Sequence, residues 1–207
     1  MKNKKLGISL IVIVIAVYSI ITTLFFITEI PTSYYDYFIR LAVLLGFTSL
    51  FVAVIQTAFI KELYQIYGKP FLTIHHIFAV LGLILITAHP VAFALKISKW
   101  SVFLVDISSW ESFWNLAGRP ALYMFYIAAI IVLFRKRLSQ KIWRVIHALN
   151  YVALTFAYIH GVLIGTDFEN LAILIIFTAM IIISYEVLIY KRYQKYKRKK
   201  KREEKSS

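Results

Sequence analysis

Long apolar runs separated by short polar connections divide this chain. Six runs approach or reach the roughly 20 mainly apolar residues that an α-helix needs to cross a bilayer. They are Leu6 to Ile27, Phe38 to Ile60, Phe71 to Leu95, Ala121 to Phe134 with flanking residues, Ile142 to Ile164, and Leu171 to Tyr190. The fourth is the shortest. The pattern predicts an all-α integral membrane protein, a six-helix bundle. So many spans leave no length for a soluble domain, so residues 1–190 read as one transmembrane domain and 191–207 as a polar tail. The longest connection, Ile97 to Gly118, mixes apolar and polar residues and is expected to lie along the membrane surface.

Composition agrees, with 60% apolar residues, a mean hydropathy of +0.74, only 7 Gly and 4 Pro. These values exclude disorder and an ordinary soluble domain. A net charge of +14 would suggest nucleic acid in a soluble chain, but here all but four of the 24 Lys and Arg fall on one side of the six spans. Lys2, Lys4 and Lys5 precede the first; Lys61 and Lys69 follow the second; Arg135, Lys136, Arg137, Lys141 and Arg144 lie between the fourth and fifth; the rest begin at Lys191. The positive side is the cytoplasmic one. Both termini are therefore expected in the cytoplasm, in a multi-pass plasma-membrane protein whose partner is lipid and not nucleic acid. The exceptions, Arg40, Lys96, Lys99 and Arg119, sit at or near outer span ends.

The first run is too long for a signal peptide, and no small-residue cleavage site follows before Glu29 and Pro31. With no cysteine in the chain, disulfides, thiolate metal sites, iron–sulfur clusters and covalently attached haem are excluded. Tyr34, Tyr35, Tyr37, Trp100, Trp110, Trp114, Trp143, Tyr190, Tyr193 and Tyr196 read mainly as interfacial anchors. The tail reads as an orientation signal drawn to anionic lipid.

The chemistry lies in the histidines. Ionisable groups inside spans are costly and are functional candidates by default. Four of the five histidines form two pairs, His75 with His89 in the third span and His147 with His160 in the fifth. Fourteen helical steps return His89 to within about 40° of the face of His75, about 21 Å further along. Both spans start on the cytoplasmic side, so they run parallel. His75 then meets His147 at the inner level and His89 meets His160 at the outer one. Two imidazoles facing each other at one depth suit the axial positions of a haem iron. The interval from His147 to His160 is thirteen, which on an ideal helix ends about 140° away, so tilt, supercoiling or local distortion has to absorb the difference. Pro90 removes the hydrogen bond to the Ile86 carbonyl and favours a kink beside His89. Gly82, midway between His75 and His89, allows close approach of a porphyrin edge or of another helix. His76 repeats the thirteen-residue interval to His89 and is the alternative inner ligand.

These residues resemble the ferric-reductase-like transmembrane domain, a family of ferric reductases, NADPH oxidases and the haem-binding membrane subunit of a periplasmic methionine-sulfoxide reductase system. His75 with His89, the run SQKIWRVIHALNYVALTFAYIHGVLIGT and the basic loop before it carry the resemblance, which extends over the whole six-span core. It implies two b-type haems, with His75 and His147 as inner ligands, His89 and His160 as outer ligands, and electrons moving from inside to outside. Many members continue into flavin and nicotinamide domains. No Gly-rich dinucleotide motif occurs here, so this chain is expected to bind neither flavin nor nicotinamide itself. A separate flavoprotein or a quinol then donates electrons, and ferric iron or a partner reductase outside accepts them. The chain would be the haem-containing membrane component of an oxidoreductase. A single-haem subunit using His89, His147 and His160, and a non-redox bundle glued by its histidines, are the alternatives.

Arg40 and Arg119 fall at the depth of the outer pair, where a cation neutralises a propionate or orients an acceptor, or merely snorkels. Glu29, Asp36, Asp106, Glu111, Asp167 and Glu169 offer hard oxygens outside that would suit a ferric substrate. Glu186 is expected to pair with Lys191 or Arg192, and Asn150 to contact the inner haem or to link helices.

Overall fold

The computed structural model describes residues 4–28, 33–68 and 71–204. Lys2, Glu29, Pro31, Lys69 and Lys205 lie outside the described residues. Within them the chain is helical, without strands: α1 (Lys4–Thr28), α2 (Tyr34–Ala58), α3 (Ile60–Tyr67), α4 (Phe71–Ile97), α5 (Trp110–Asn115), α6 (Gly118–Ile130), α7 (Gln140–His147), α8 (Leu149–Ile164) and α9 (Leu171–Glu203), with 3-10 turns at Trp100–Phe103 and Thr166–Glu169.

Five stretches are long and apolar enough to cross a membrane: Lys5–Thr28, Tyr34–Ala58, Leu72–Ile97, Gln140–Ile164 and Leu171–Arg198. This is a multi-pass membrane protein, since helices satisfy every backbone group internally, as lipid demands. The predicted fourth span differs. Its α-helix, α6, has 13 residues, about 20 Å, and the chain then tightens into successive i to i+3 bonds from Val132 to Arg137. Tight turns of this kind rise about 2 Å per residue, which lets a short segment reach further than its helix length suggests.

Close packing joins α2 to α4 and α6 to α8. The first contact depends on two glycines: a Cβ on Gly82 would lie 2.7 Å from Leu50 Cγ, and one on Gly46 would lie 3.0 Å from the Ile86 main-chain nitrogen. Gly82 thus serves helix packing, one of the two roles its position allowed. The buried core, with Ile21, Phe25, Phe47, Phe125, Leu154 and Phe177, lies where α1, α2, α6, α8 and α9 converge. Phe47 and Phe177 pack with ring centroids 5.2 Å apart and planes tilted by 44°. Thr48, Ser49 and Ser184, all fully buried, return their hydroxyl protons to the carbonyls of Leu44, Leu45 and Met180, so they add no unpaired polar group to the interior.

Tertiary hydrogen bonds sort the helices by end. Tyr67 donates to the Gly7 carbonyl at 2.6 Å, and Lys191 to the Thr57 hydroxyl at 2.9 Å. The first of these bonds ties the start of α1 to α3, and the second ties α9 to the end of α2. At the opposite end Asn170 holds Thr28 at 2.8 Å, and Arg40 holds Asp167. The last helix, α9, runs from the fifth apolar stretch into the basic residues and ends at Glu203.

Candidate functional site

Each of the four paired histidines is half-buried and is fixed in the same manner. His75 Nδ1 lies 3.0 Å from the Ala53 carbonyl and His89 Nδ1 lies 2.9 Å from that of Ile39, both on α2. His147 Nδ1 lies 2.9 Å from the Ala128 carbonyl on α6, and His160 Nδ1 lies 2.6 Å from that of Asn115, the last residue of α5. A carbonyl accepts only, so each Nδ1 donates, and in the neutral ring Nε2 then carries the lone pair. That is the tautomer a metal-ligating histidine adopts, with its other nitrogen anchored to a carbonyl.

The anchoring carbonyls share a register with the histidines. Ile39 and Ala53 are fourteen positions apart, as are His75 and His89; Asn115 and Ala128 are thirteen apart, as are His147 and His160. Antiparallel partners with a common rise keep two such bonds in step only when the intervals agree. Each histidine pair is thereby braced at two levels, His75 and His89 of α4 by α2, and His147 of α7 and His160 of α8 by α6 and α5 respectively.

The thirteen-residue interval is relieved by distortion. α7 stops at His147, and the Ala148 N–H is shared between the Arg144 and Val145 carbonyls, both at 3.1 Å, before Tyr151 bonds to Ala148 at 3.0 Å. Each residue of 3-10 winding adds about 20° over α-helical winding, so this tightening recovers part of the mismatch. The Asn150 side chain donates to the His147 carbonyl at 2.8 Å and closes the break. Pro90, by contrast, lies within an unbroken α4.

On α4, and across α7 and α8, the two histidines thus stand at two levels along the helix axis. His76 is exposed, its ring 5.7 Å from that of His75, so His75 is the inward-facing member. Among the described residues no three His, Asp or Glu side chains gather to hold a bare metal ion. Two imidazoles suit an iron that brings its own in-plane nitrogens, as haem does.

Several site residues escaped the sequence. Gly118, at the start of α6, touches His160: a Cβ there would lie 2.7 Å from its Cδ2 and 3.0 Å from its Nε2. Trp143 stacks on His147 at 5.4 Å and 10°, and the Arg135 guanidinium lies over the indole at 5.0 Å. It belongs to the histidine level rather than to the anchors. Its Nε1 and Gln56 Oε1 are buried without a hydrogen-bond partner. Trp114 also turns inward, 5.1 Å from Phe156 of α8, whereas Trp110 is exposed as an anchor should be. No pattern in the sequence separates a tryptophan that stacks on a ligand from one at the headgroups, because both sit near span ends.

Arg40 makes three hydrogen bonds to Asp167, the shortest 2.6 Å, and lies over the Phe25 ring. Its charge is already matched by a carboxylate. Arg119 donates to the Leu104 carbonyl at 2.6 Å and lines an open cleft of about 600 Å³ with Ser101, Asp106 and Ser108. The hydroxyl and backbone N–H of Ser108 hold the Asp106 carboxyl below its ordinary value. The acidic residues of this end are dispersed: Asp36 pairs with Lys96, Asp167 with Arg40 and Asp106 with Ser108. Among the described residues they assemble no ferric-ion site. Glu186 is exposed and Lys191 turns to Thr57 instead.

No protein-family model, curated protein or solved structure matches this chain.

Proposed function

We propose that this chain is a transmembrane electron carrier of the ferric-reductase-like kind. It would hold two b-type haems between α4 and α7–α8, one on His75 and His147 and one on His89 and His160. The observation that supports this most is the matched register of four imidazoles on four main-chain carbonyls, which leaves four Nε2 atoms with free lone pairs at two levels. When bound, haem supplies a reversible one-electron couple. The chain's residues do the rest: the carbonyls fix ring orientation, and the apolar helices exclude water and ions. Gly118 leaves room beside His160.

The basic end belongs in the cytoplasm, with both termini there in a plasma-membrane protein. On this reading both termini lie at the basic end and the number of crossings is even, with α6 and its tight turns making the sixth. Arg135, Lys136, Arg137, Lys141 and Arg144 are exposed there and favour an acidic flavoprotein donor through charge steering; a quinol is the other source. At the far end, the cleft beside Arg119 receives the acceptor, ferric iron or a partner reductase.

Purified protein reduced with dithionite is expected to show b-type absorption with about two haems per chain, as two bis-imidazole sites imply. His89→Ala or His160→Ala should remove one haem, His75→Ala or His147→Ala the other, and His76→Ala neither. A colourless preparation would overturn the reading in favour of a bundle glued by histidines. A ratio near one that ignores His75→Ala would indicate a single-haem subunit, as in the sulfoxide reductase system.

A further inference from the structure

Of the four paired histidines, His147 alone stands at a helix end. α7 stops there and the chain tightens at Ala148 before α8 begins, whereas His75 and His89 lie inside α4 and His160 inside α8. The hydrogen bond from Nδ1 to the Ala128 carbonyl holds the imidazole along one line and leaves it free to turn about that line. A ligand at a break in its helix needs a second constraint.

That constraint is a column of three flat groups. Trp143, one turn back on α7 and so on the same face, lies parallel to the His147 ring, with centroids 5.4 Å apart and planes 10° apart. The Arg135 guanidinium covers the Trp143 indole at 5.0 Å, and a cation over an aromatic face is attracted by the ring quadrupole. Arg135 belongs to the tight turns after α6, so the column also ties the α6–α7 connection to the histidine. Among the described residues no ring lies parallel to His75, His89 or His160; His76 meets His75 at 56°.

Anchoring at the membrane surface does not account for this placement. An interfacial tryptophan puts its N–H where water or headgroups can accept from it, whereas Trp143 Nε1 is buried with no partner among the described residues. A buried donor left unmade is costly. The indole is thus oriented for the stack and not for its own N–H.

We infer that Trp143, clamped by Arg135, is a positioning residue that sets the plane of the His147 imidazole against that of His75 across the haem they hold. This rests on the dihaem reading. Groups that orient a ligand ring tune the metal it binds. The angle between two axial imidazole planes decides which iron orbitals they meet, and so governs the low-spin ferric spectrum of that haem.

The full-length, haem-loaded protein is read by electron paramagnetic resonance in the ferric state, where each bis-imidazole haem gives a largest g value set by the angle between its ligand planes. His75→Ala identifies the inner signal by removing it. Trp143→Leu should move that signal and leave the outer one in place, and Trp143→Phe, which keeps a stacking face, should return it to the wild-type position. Arg135→Gln should shift it in the same direction by less, with Arg135→Lys restoring it. An inner signal unmoved in Trp143→Leu or in Arg135→Gln overturns the inference, as do equal shifts of both signals, which would mark general loosening. If Trp143→Leu fails to hold the inner haem, Trp143→Phe decides: a wild-type signal there supports the role, and loss there too overturns it. Wild-type protein that binds no haem overturns the dihaem reading itself.

Discussion

Asp167 is only 5% exposed, yet nothing in its neighbourhood along the chain marks it as buried. Its partner, Arg40, lies 127 residues away and ties the loop before α9 to α2, beside the carbonyl that anchors His89. Removing one member of a buried pair strands the other charge, at a typical cost of about 3–5 kcal/mol, whereas an apolar pair of similar volume is often tolerated. Asp167→Asn is therefore expected to lower stability by roughly that amount, and Arg40→Met with Asp167→Leu to recover most of it. Thermal unfolding in detergent reads both. An Asp167→Asn protein as stable as wild type would mean the pair is not desolvated. The sequence offered Arg40 as a cation for a propionate or an acceptor, or as a snorkelling residue; its partner Asp167, distant in the chain, is set by folding.

At the scale of elements, the α2–α4 contact positions both histidines of α4, since both anchoring carbonyls are on α2. Replacing glycine by alanine inside an open helix gains about 0.5–1 kcal/mol. At Gly82 and Gly46 the new methyl would meet Leu50 and the Ile86 main chain, and overpacking typically costs about 1–3 kcal/mol. Gly82→Ala and Gly46→Ala should therefore lower the melting temperature, and Gly7→Ala, which meets the flexible Ile66 side chain, should lower it less. Stabilisation at Gly82 and Gly46 would show that α2 and α4 are further apart than described. Helix positions were largely legible from apolar length: the predicted second span, Phe38 to Ile60, starts four residues inside and ends two residues beyond the observed helix, Tyr34–Ala58. The break at Ala148 was not legible, because it answers to the spacing of carbonyls on another helix.

For the whole molecule, the six-crossing arrangement proposed above makes a topological prediction. Alkaline phosphatase, active only when exported, should be active when fused after Ser108 and inactive after Lys136 or at the C-terminus. Activity after Lys136 would mean that the segment from Gly118 to Arg137 does not cross. The charge asymmetry was plain in the sequence because orientation depends on counts of Lys and Arg near span ends, not on where their side chains point. The inward turn of Lys191 was hidden for the same reason.

What the sequence alone determined is the helical membrane architecture, the basic end, and two histidine pairs at matched intervals. These depend on length, hydropathy and spacing, which are properties of consecutive residues. The tertiary structure decided which imidazole of His75 and His76 faces inward, how a thirteen-residue interval is reconciled with a helix, and that Gly118 and Asn115 meet His160 and Trp143 meets His147. Those outcomes come from contacts between segments remote in the chain. Two antiparallel helices sharing a rise bring carbonyls fourteen or thirteen positions apart opposite histidines of the same spacing, and only folding sets that register.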